Sequence, residues 1–247
     1  MATAHEAYAA PRYGWRGRLG MLLPSGNVAA EAQFNAMLPH GVSLHTTRLK
    51  LTGSSDADLL GMIDRLDEGA KLLADACVDL ILFHCTAVST WDVEMDSTLP
   101  PRITAATGLP ATSTARGLLA ALRALEARRI VMVSPYIEAT NIREAAFFES
   151  NGVTMLHTVG LGIAAAKDML SVEPGEWYRL VREHARPEAD AYLISCTAVR
   201  SLEVVADLER DLGKPVLTSN QAAAWHALRA LGVKDAVPGF GRLLSIP

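Results

Sequence analysis

The sequence repeats itself at an interval of 111 residues. The segment FHCTAVST, which contains Cys85, is similar to LISCTAVRS, which contains Cys196, and the two cysteines are 111 residues apart. The segments RLGMLLPS and RIVMVSPY have the same offset, as do GVSLHT and GVTMLHT. Three matches at one offset make chance a poor explanation. Because the interval is far too long for a solenoid repeat, it predicts two similar halves.

Short apolar runs alternate with longer segments of helical periodicity in both halves. The runs contain few polar residues, which is typical of strands that are covered by helices on both faces. The predicted strands are Leu19–Leu23, Val42–Thr47, Leu80–His84, Pro110–Thr112, Ile130–Ser134, Val153–Thr158, Ala191–Ser195 and Pro215–Thr218. Strict alternation of strand and helix predicts an α/β fold, with two similar Rossmann-like halves built on parallel sheets.

The predicted halves are joined without a low-complexity linker. We expect an N-terminal tail over residues 1–17, a first α/β half over 18–128 and a second over 129–247. The repeat suggests that a pseudo-twofold axis relates the halves, which should pack closely. Since ligands bind outside the carboxyl ends of strands in such sheets, we expect an active site in the cleft between the halves.

Composition excludes several classes of protein. The net charge is −4 and no basic block stands out, so nucleic acid is not an expected partner. No apolar stretch approaches the length of a membrane span, and the N-terminus lacks the apolar core of a signal peptide. Three cysteines are too few for a disulfide framework, which favours a cytoplasmic location. We find no spacing typical of a metal site and no nucleotide-binding motif, and therefore expect no metal and no cofactor.

Two of the three cysteines occupy equivalent places in the repeat. Cys85 and Cys196 each follow an apolar strand, and we predict that each lies on a turn that leads into a helix. A helix N-terminus would lower the pKa of a thiol and could bind a carboxylate through free backbone N–H groups. The symmetry predicts that the two thiols lie on opposite sides of the cleft. Cys77 has no counterpart at the end of its helix, and we expect it to be structural.

The loop that follows the first strand of each half carries neutral hydrogen-bonding side chains. These are Ser25 and Asn27 in the first half and Tyr136 in the second. They could bind an anion, although helix capping and packing would also account for them. His84 precedes Cys85 directly, so strand alternation predicts that its side chain faces a covering helix and points away from the thiol.

The motif PSGN with Asn27, the two cysteine turns and the motif SPY with Tyr136 resemble the aspartate/glutamate racemase superfamily. The resemblance extends from about Arg18 to Leu231 and is greatest to the maleate cis–trans isomerase branch, which is related to arylmalonate decarboxylase. It implies that Cys85 is the nucleophile and Cys196 its acid/base partner. It also implies that substrate carboxylates bind to Asn27, Tyr136 and the turn amides of Thr86, Ala87, Thr197 and Ala198.

The sequence departs from the isomerase branch near Lys167. That branch usually has an asparagine a few residues after a GLGI-like stretch, whereas this chain reads GLGIAAAKDM. The segment around Lys167 could form a loop over the site. The decarboxylase branch retains only the second cysteine, and the presence of both therefore favours two-thiol chemistry.

We therefore expect a cofactor-independent isomerase that acts on a small mono- or dicarboxylic acid, with maleate-to-fumarate isomerisation first among the reactions. An amino-acid or hydantoin racemase and an arylmalonate-type decarboxylase are alternatives within the superfamily. A small-anion binding module is the alternative that is not an enzyme. The expected partner is a small carboxylate, and assembly into a homo-oligomer is left open.

Overall fold

Eight strands form two parallel sheets in the computed structural model, which describes residues 13–51, 53 and 55–247. The first sheet has the order β2-β1-β3-β4 and the second the order β6-β5-β7-β8. The strands are β1 (Gly17–Pro24), β2 (Val42–Leu49), β3 (Leu80–Phe83), β4 (Ala111–Ser113), β5 (Arg129–Ser134), β6 (Thr154–Gly160), β7 (Ala191–Ile194) and β8 (Val216–Thr218). This arrangement confirms the predicted α/β fold with two similar parallel sheets.

Helices connect successive strands and cover the sheets. In the first half they are α1 (Ala30–Met37), α2 (Asp56–Gly61), α3 (Leu66–Asp75), α4 (Thr86–Ser89), α5 (Val93–Thr107) and α6 (Thr114–Ala124). In the second half they are α7 (Glu138–Ser150), α8 (Ala166–Met169), α9 (Pro174–Glu183), α10 (Val205–Leu212) and α11 (Ser219–Ala230). Short 3₁₀ turns span Met62–Arg65, Leu202–Val204 and Leu243–Ser245.

The sequence repeat is reproduced in the register of the strands. Leu19 of β1 lies opposite Leu80 of β3, and the residues 111 positions later, Ile130 and Ala191, form the same pair in the second sheet. The register of β6 shifts by one residue after its first two pairs with β5. The loops that follow β3 and β7 therefore occupy equivalent places in the two sheets.

One apolar core joins the two halves. It contains side chains of β1 and β5 together with residues of α6 and α11, which pack against each other between the sheets. Gly117 of α6 permits a close approach, because a Cβ atom there would lie 3.0 Å from the Cα of Ala223 in α11. Small residues at this crossing bring the two helix backbones together.

The predicted tail over residues 1–17 falls mainly outside the described residues. Its last part is held to the protein, since Arg16 forms an ion pair with Asp235 and donates its backbone N–H to the carbonyl of Gly41 over 2.9 Å. Cys77 is exposed and has a positive φ of 53°, so it ends the helical segment without being packed in the core. Within the described residues, no helix has the length and apolar character needed to cross a membrane.

Candidate active site

Cys85 and Cys196 line one cavity at the carboxyl ends of the two sheets. Cys85 follows β3 and Cys196 follows β7, and both side chains are buried. The cavity is partly open to solvent. Eight of the nine predicted site residues line it, namely Asn27, Cys85, Thr86, Ala87, Tyr136, Cys196, Thr197 and Ala198. The ninth, Ser25, does not.

The environment of Cys85 differs from the one that the sequence predicts. Cys85 does precede a helix, but α4 is a single turn of four residues. The backbone N–H groups of Val88 and Ala87 hydrogen-bond to its sulfur and favour the thiolate, yet burial outweighs them and raises the pKa of Cys85 to about 12. The predicted lowering of the pKa is therefore wrong, because a short helix does not compensate for removing a thiolate from water.

Cys196 does not precede a helix, which corrects a second prediction. A turn follows it over residues 197–199. Its backbone has a φ of +116°, a region that side-chain-bearing residues rarely adopt, and its N–H donates to Oγ of Ser219 over 3.1 Å. The N–H of Ala198 donates to the sulfur over 3.3 Å. Burial nevertheless raises the pKa of Cys196 to about 11, although hydrogen bonds from Tyr136 and Ala198 act in the opposite direction.

The loop after β5 fixes Tyr136 beside Cys196. The backbone N–H of Tyr136 donates to Oγ of Ser134 over 3.1 Å, and its carbonyl accepts from the N–H of Gly162 over 3.1 Å. The end of β6 lies so close that a Cβ on Gly160 would be 2.4 Å from this carbonyl. Burial, followed by the charge of Cys196, raises the pKa of the Tyr136 phenol well above its usual value. Tyr136 is therefore a neutral hydrogen-bond donor in the cavity.

Asn27 connects the loop after β1 to the loop that contains Cys196. Its Oδ1 accepts from the backbone N–H groups of Ala29 and Ala30, at 3.0 Å each, where α1 begins. Its Nδ2 donates to Oγ1 of Thr197 over 3.0 Å. Asn27 is buried, so this contact ties the two cysteine-bearing halves together at the edge of the cavity.

The side chain of Ser25 forms its hydrogen bonds within the first half. Its hydroxyl donates to the carbonyl of Leu51 over 3.3 Å and accepts from the N–H of Leu51 over 3.1 Å. The structure therefore places Ser25 outside the cavity, as a bridge between the loops that follow β1 and β2. Arg48 of β2 holds the same loop by donating to the carbonyls of Ser25 and Asn27 at 3.0 and 2.7 Å.

Among the described residues that line the cavity, one buried side-chain polar atom has no hydrogen-bond partner. Oγ1 of Thr86 is buried and makes no hydrogen bond. Buried hydroxyls are seldom left unpaired, so a ligand oxygen at this point would complete its hydrogen bonding. The rest of the wall is largely apolar and includes Leu51, Leu59 and Met169. Among the described residues that line the cavity there is no cationic side chain, and the described part of the chain contains no cluster of three or more metal-ligating side chains.

A buried polar network lies behind the cavity, and the sequence singles out only two of its members, His84 and Thr197. His84 hydrogen-bonds to Thr114 of α6 over 3.0 Å and to Oδ1 of Asn220 in α11 over 2.8 Å. Its side chain thus faces covering helices, as strand alternation predicts. Asn220 donates in turn to Oε1 of Gln33 over 2.7 Å and to the carbonyl of Thr197 over 3.2 Å. Burial lowers the pKa of His84 to about 4, so the imidazole is neutral.

Glu144 is a functional candidate that the sequence does not single out. It lies on α7, is 1% exposed and accepts a hydrogen bond of 2.6 Å from Oγ of Ser195 on Oε1. Its Oε2 has no partner. Burial raises the pKa of this carboxyl to about 7. The spacing along α7 carries a signal. Glu144 precedes Phe147 and Phe148 by three and four residues, so it lies on the face of the helix that these two rings bury.

Two cationic residues near the predicted loop do not enter the cavity. Lys167 is exposed on the short helix α8, and Met169 of the same helix lines the cavity instead. Arg200 is half-buried and pairs with Glu173 over 3.1 Å. The segment near Lys167 therefore supplies an apolar side chain to the site.

Comparison with known proteins places these features in a family. A family model described as arylmalonate decarboxylase matches residues 19–244. The chain is 31% identical to a maleate isomerase from Nocardia farcinica over 238 residues, which cover 92% of this chain and 95% of that protein. It is 38% identical to an arylmalonate decarboxylase from Bordetella bronchiseptica over 143 residues, or 57% of this chain and 60% of that protein.

A solved structure with the same fold carries a covalent intermediate. It is a mutant of the Nocardia farcinica maleate cis–trans isomerase with a bound succinylcysteine. It superposes with a TM-score of 0.89 at 28% identity, and the match covers 93% of this chain and 98% of that one. The predicted closeness to maleate isomerase and arylmalonate decarboxylase is confirmed.

Proposed function

The chain belongs to the arylmalonate decarboxylase family, and from that premise we propose that it is a cis–trans isomerase that converts maleate, or a closely similar cis-dicarboxylate, into its trans isomer. The known proteins that it resembles are enzymes, and an isomerase fits the names of the maleate isomerases among them. The observation that carries the proposal is the placement of two buried thiols, from equivalent loops of the two sheets, in one cavity. The succinylcysteine in a structure of similar fold supports addition of a cysteine to the alkene.

The first half of the proposed reaction forms a carbon–sulfur bond. The thiolate of Cys85 adds to one alkene carbon, and the π electrons move to the neighbouring carbon, next to a carboxylate. That carboxylate becomes an enediolate with added negative charge, which neutral donors in a site shielded from water can stabilise. The available donors are the hydroxyls of Tyr136 and Thr86. The thiol of Cys196 then donates its proton to the carbanion, leaving a succinyl thioether on Cys85 and a thiolate at Cys196.

The second half of the reaction reverses these steps after a rotation. The former double bond is now single, so the two carboxylates can turn from cis to trans. The Cys196 thiolate removes the proton that it gave, the double bond forms again, and Cys85 leaves as a thiolate. The cavity favours this chemistry because the same burial that raises the pKa of both thiols makes a thiolate formed there a strong nucleophile and base.

The proposal is tested by following maleate in buffered heavy water by proton NMR. We expect fumarate from the native protein and a loss of at least about a thousandfold in turnover for Cys85→Ser and Cys196→Ser. Cys77→Ser is the matched control, because Cys77 is exposed and should leave turnover unchanged.

Parallel incubations separate the alternatives. Arylmalonate would lose carbon dioxide in a decarboxylase, and aspartate, glutamate or a hydantoin would gain deuterium at the α carbon in a racemase. The absence of fumarate, or full activity in either buried-cysteine variant, would contradict the proposed reaction.

A further inference from the structure

At one buried position of the repeat, the first half has a glutamine and the second half has a glutamate. Gln33 of α1 and Glu144 of α7 are 111 residues apart and therefore equivalent in the two halves. Both polar atoms of the Gln33 amide have partners, since Oε1 accepts from Asn220 over 2.7 Å and Nε2 donates to the carbonyl of Val199 over 2.9 Å. Glu144 accepts from Ser195 with one oxygen, while the other has no partner. The second half thus carries an ionisable group where the first carries a neutral one.

Glu144 supports the strained turn that presents Cys196. The hydroxyl of Ser195, which precedes Cys196, is buried and donates to the Glu144 carboxyl over 2.6 Å. The backbone of Cys196 has a φ of +116°, which persists only where neighbouring contacts enforce it. The bond from Ser195 to Glu144 and the bond from the Cys196 N–H to Ser219 hold the two sides of this turn.

The charge of Glu144 would act on every ionisable group of the cavity. A negative Glu144 raises the pKa of Cys85, of Cys196 and of Tyr136. These three groups come from the loops after β3, β7 and β5, and none is a cation that could neutralise the carboxylate. The neighbouring cation on α7, Arg143, is committed elsewhere, to Asp56 over 2.8 Å and to the ring face of Trp91.

We propose that Glu144 is a positioning residue that must keep its proton while the two thiols react: the neutral carboxyl holds Ser195 and the Cys196 turn, and the ionised carboxyl opposes thiolate formation at Cys85 and Cys196. This inference rests on the proposed two-thiol function. The unpartnered oxygen agrees with a protonated group, because an ionised carboxylate without a second partner is costly to bury. The raised pKa of about 7 places the loss of the proton within the working range of most enzymes.

Glu144→Gln separates the charge from the hydrogen bond. Glutamine keeps an oxygen for Ser195 but stays neutral at every pH. Thiolate formation is measured directly, as the rate of iodoacetamide labelling of the Cys85 and Cys196 peptides between pH 6 and 9. Above pH 7, we expect both thiols to be labelled about tenfold faster in Glu144→Gln than in the native protein, since a nearby charge in a medium of reduced effective dielectric has an effect of this order.

Two further variants make the test specific. Glu149→Gln removes an exposed acid from the same helix and should be labelled at the native rate. Glu144→Leu removes both the charge and the acceptor for Ser195, so kcat for maleate should fall at every pH, and Glu144→Gln should restore it below pH 7. In the native protein the rise of log(kcat/KM) with pH should bend downwards near pH 7, and Glu144→Gln should abolish the bend.

The labelling readout does not depend on the identity of the substrate. If maleate is not converted but the labelling rates differ as expected, the proposed reaction fails and the role of Glu144 stands. Equal labelling rates in the native protein and in Glu144→Gln, or a bend near pH 7 that persists in Glu144→Gln, would overturn the inference.

Discussion

The side-chain amide of Asn27 donates a hydrogen bond of 3.0 Å to the hydroxyl of Thr197, across the boundary between the two sheets. Asn27 belongs to the loop after β1, and Thr197 is the residue that follows Cys196. The same asparagine accepts from two N–H groups at the start of α1. One residue therefore sets both the beginning of a helix in the first half and the position of the cysteine turn in the second.

This contact predicts measurable coupling between the halves. We expect Asn27→Ala to lower the free energy of unfolding by about 2 kcal/mol, because it removes a helix cap and a buried hydrogen bond. Thr197→Val should cost about 1 kcal/mol, since it removes the hydrogen bond alone. In urea denaturation, the double variant should be less destabilised than the sum of the single variants by about 1 kcal/mol. Strict additivity would show that the bond does not couple the two loops.

The positive φ of Cys196 predicts opposite effects of glycine at the two cysteines. Glycine adopts a φ of +116° without steric cost, so Cys196→Gly should be more stable than Cys196→Ala by about 1 kcal/mol. Cys85 has a φ of −149°, where alanine is favoured over glycine, so Cys85→Gly should be less stable than Cys85→Ala. Thermal unfolding of the four variants measures both differences. The same order of stability at both positions would contradict strain at Cys196.

Two buried groups predict opposite dependences of stability on pH. His84 has a pKa lowered to about 4, so the stability it contributes is present above pH 6.5 and is lost as the pH falls through 4. Glu144 has a pKa raised to about 7, so its contribution is present below pH 4.5 and is lost as the pH rises through 7. Each contribution amounts to about 3 kcal/mol, and between pH 4.5 and 6.5 they largely cancel.

Substituting either residue alone should reveal the pH dependence of the free energy of unfolding that the other residue contributes. In Glu144→Gln the contribution of His84 is no longer opposed by that of Glu144, so relative to the native protein the free energy of unfolding should gain a slope of about +1.4 kcal/mol per pH unit between pH 4.5 and 6.5. In His84→Gln the change of slope relative to the native protein should have the opposite sign. Urea denaturation at four pH values measures these slopes. Parallel curves for the native protein and both variants would mean that neither group titrates as described.

Asn141 and Tyr136 lie so close to Gly160 that adding a methyl group there should disturb the site. In Gly160→Ala the new Cβ would lie 2.1 Å from Nδ2 of Asn141 and 2.4 Å from the carbonyl oxygen of Tyr136. The Tyr136 loop would have to move, which we expect to cost about 2 kcal/mol of stability and most of the turnover. Gly175→Ala is the control, because a Cβ there meets nothing within 4 Å. Native activity in Gly160→Ala would show that the loop tolerates displacement.

The repeat and the apolar runs are sufficient to predict the strands and the shared position of Cys85 and Cys196. Strands covered on both faces leave a clear apolar signal, and the 111-residue offset carries one sheet onto the other. Helix α5 gives a weaker signal, because it contains Pro100 and Pro101, which usually interrupt helices. The fold therefore follows from the sequence more completely than its helical connections do.

The electrostatics of the site could not be predicted in the same way. The sequence places each cysteine at the end of a strand, but it does not show that the thiols are buried, and burial determines their pKa. Likewise, Ser25 and Asn27 are near neighbours in one loop, yet only Asn27 lines the cavity, because the hydroxyl of Ser25 is turned to Leu51. Glu144 could have been found by comparing the halves position by position, since its counterpart is Gln33.

The crossing of α6 and α11 also limits how such a site can change. At Gly117 the two helix backbones are already in contact, and the core around them is shared by both sheets. The two sulfur atoms are therefore held at a separation that a hinge between the halves cannot adjust. Adaptation to a larger or smaller ligand would have to come from the segments that close the cavity, where Leu51, Leu59 and Met169 lie. A change of specificity in this fold would therefore alter the walls of the cavity while the two sulfur atoms stay in place.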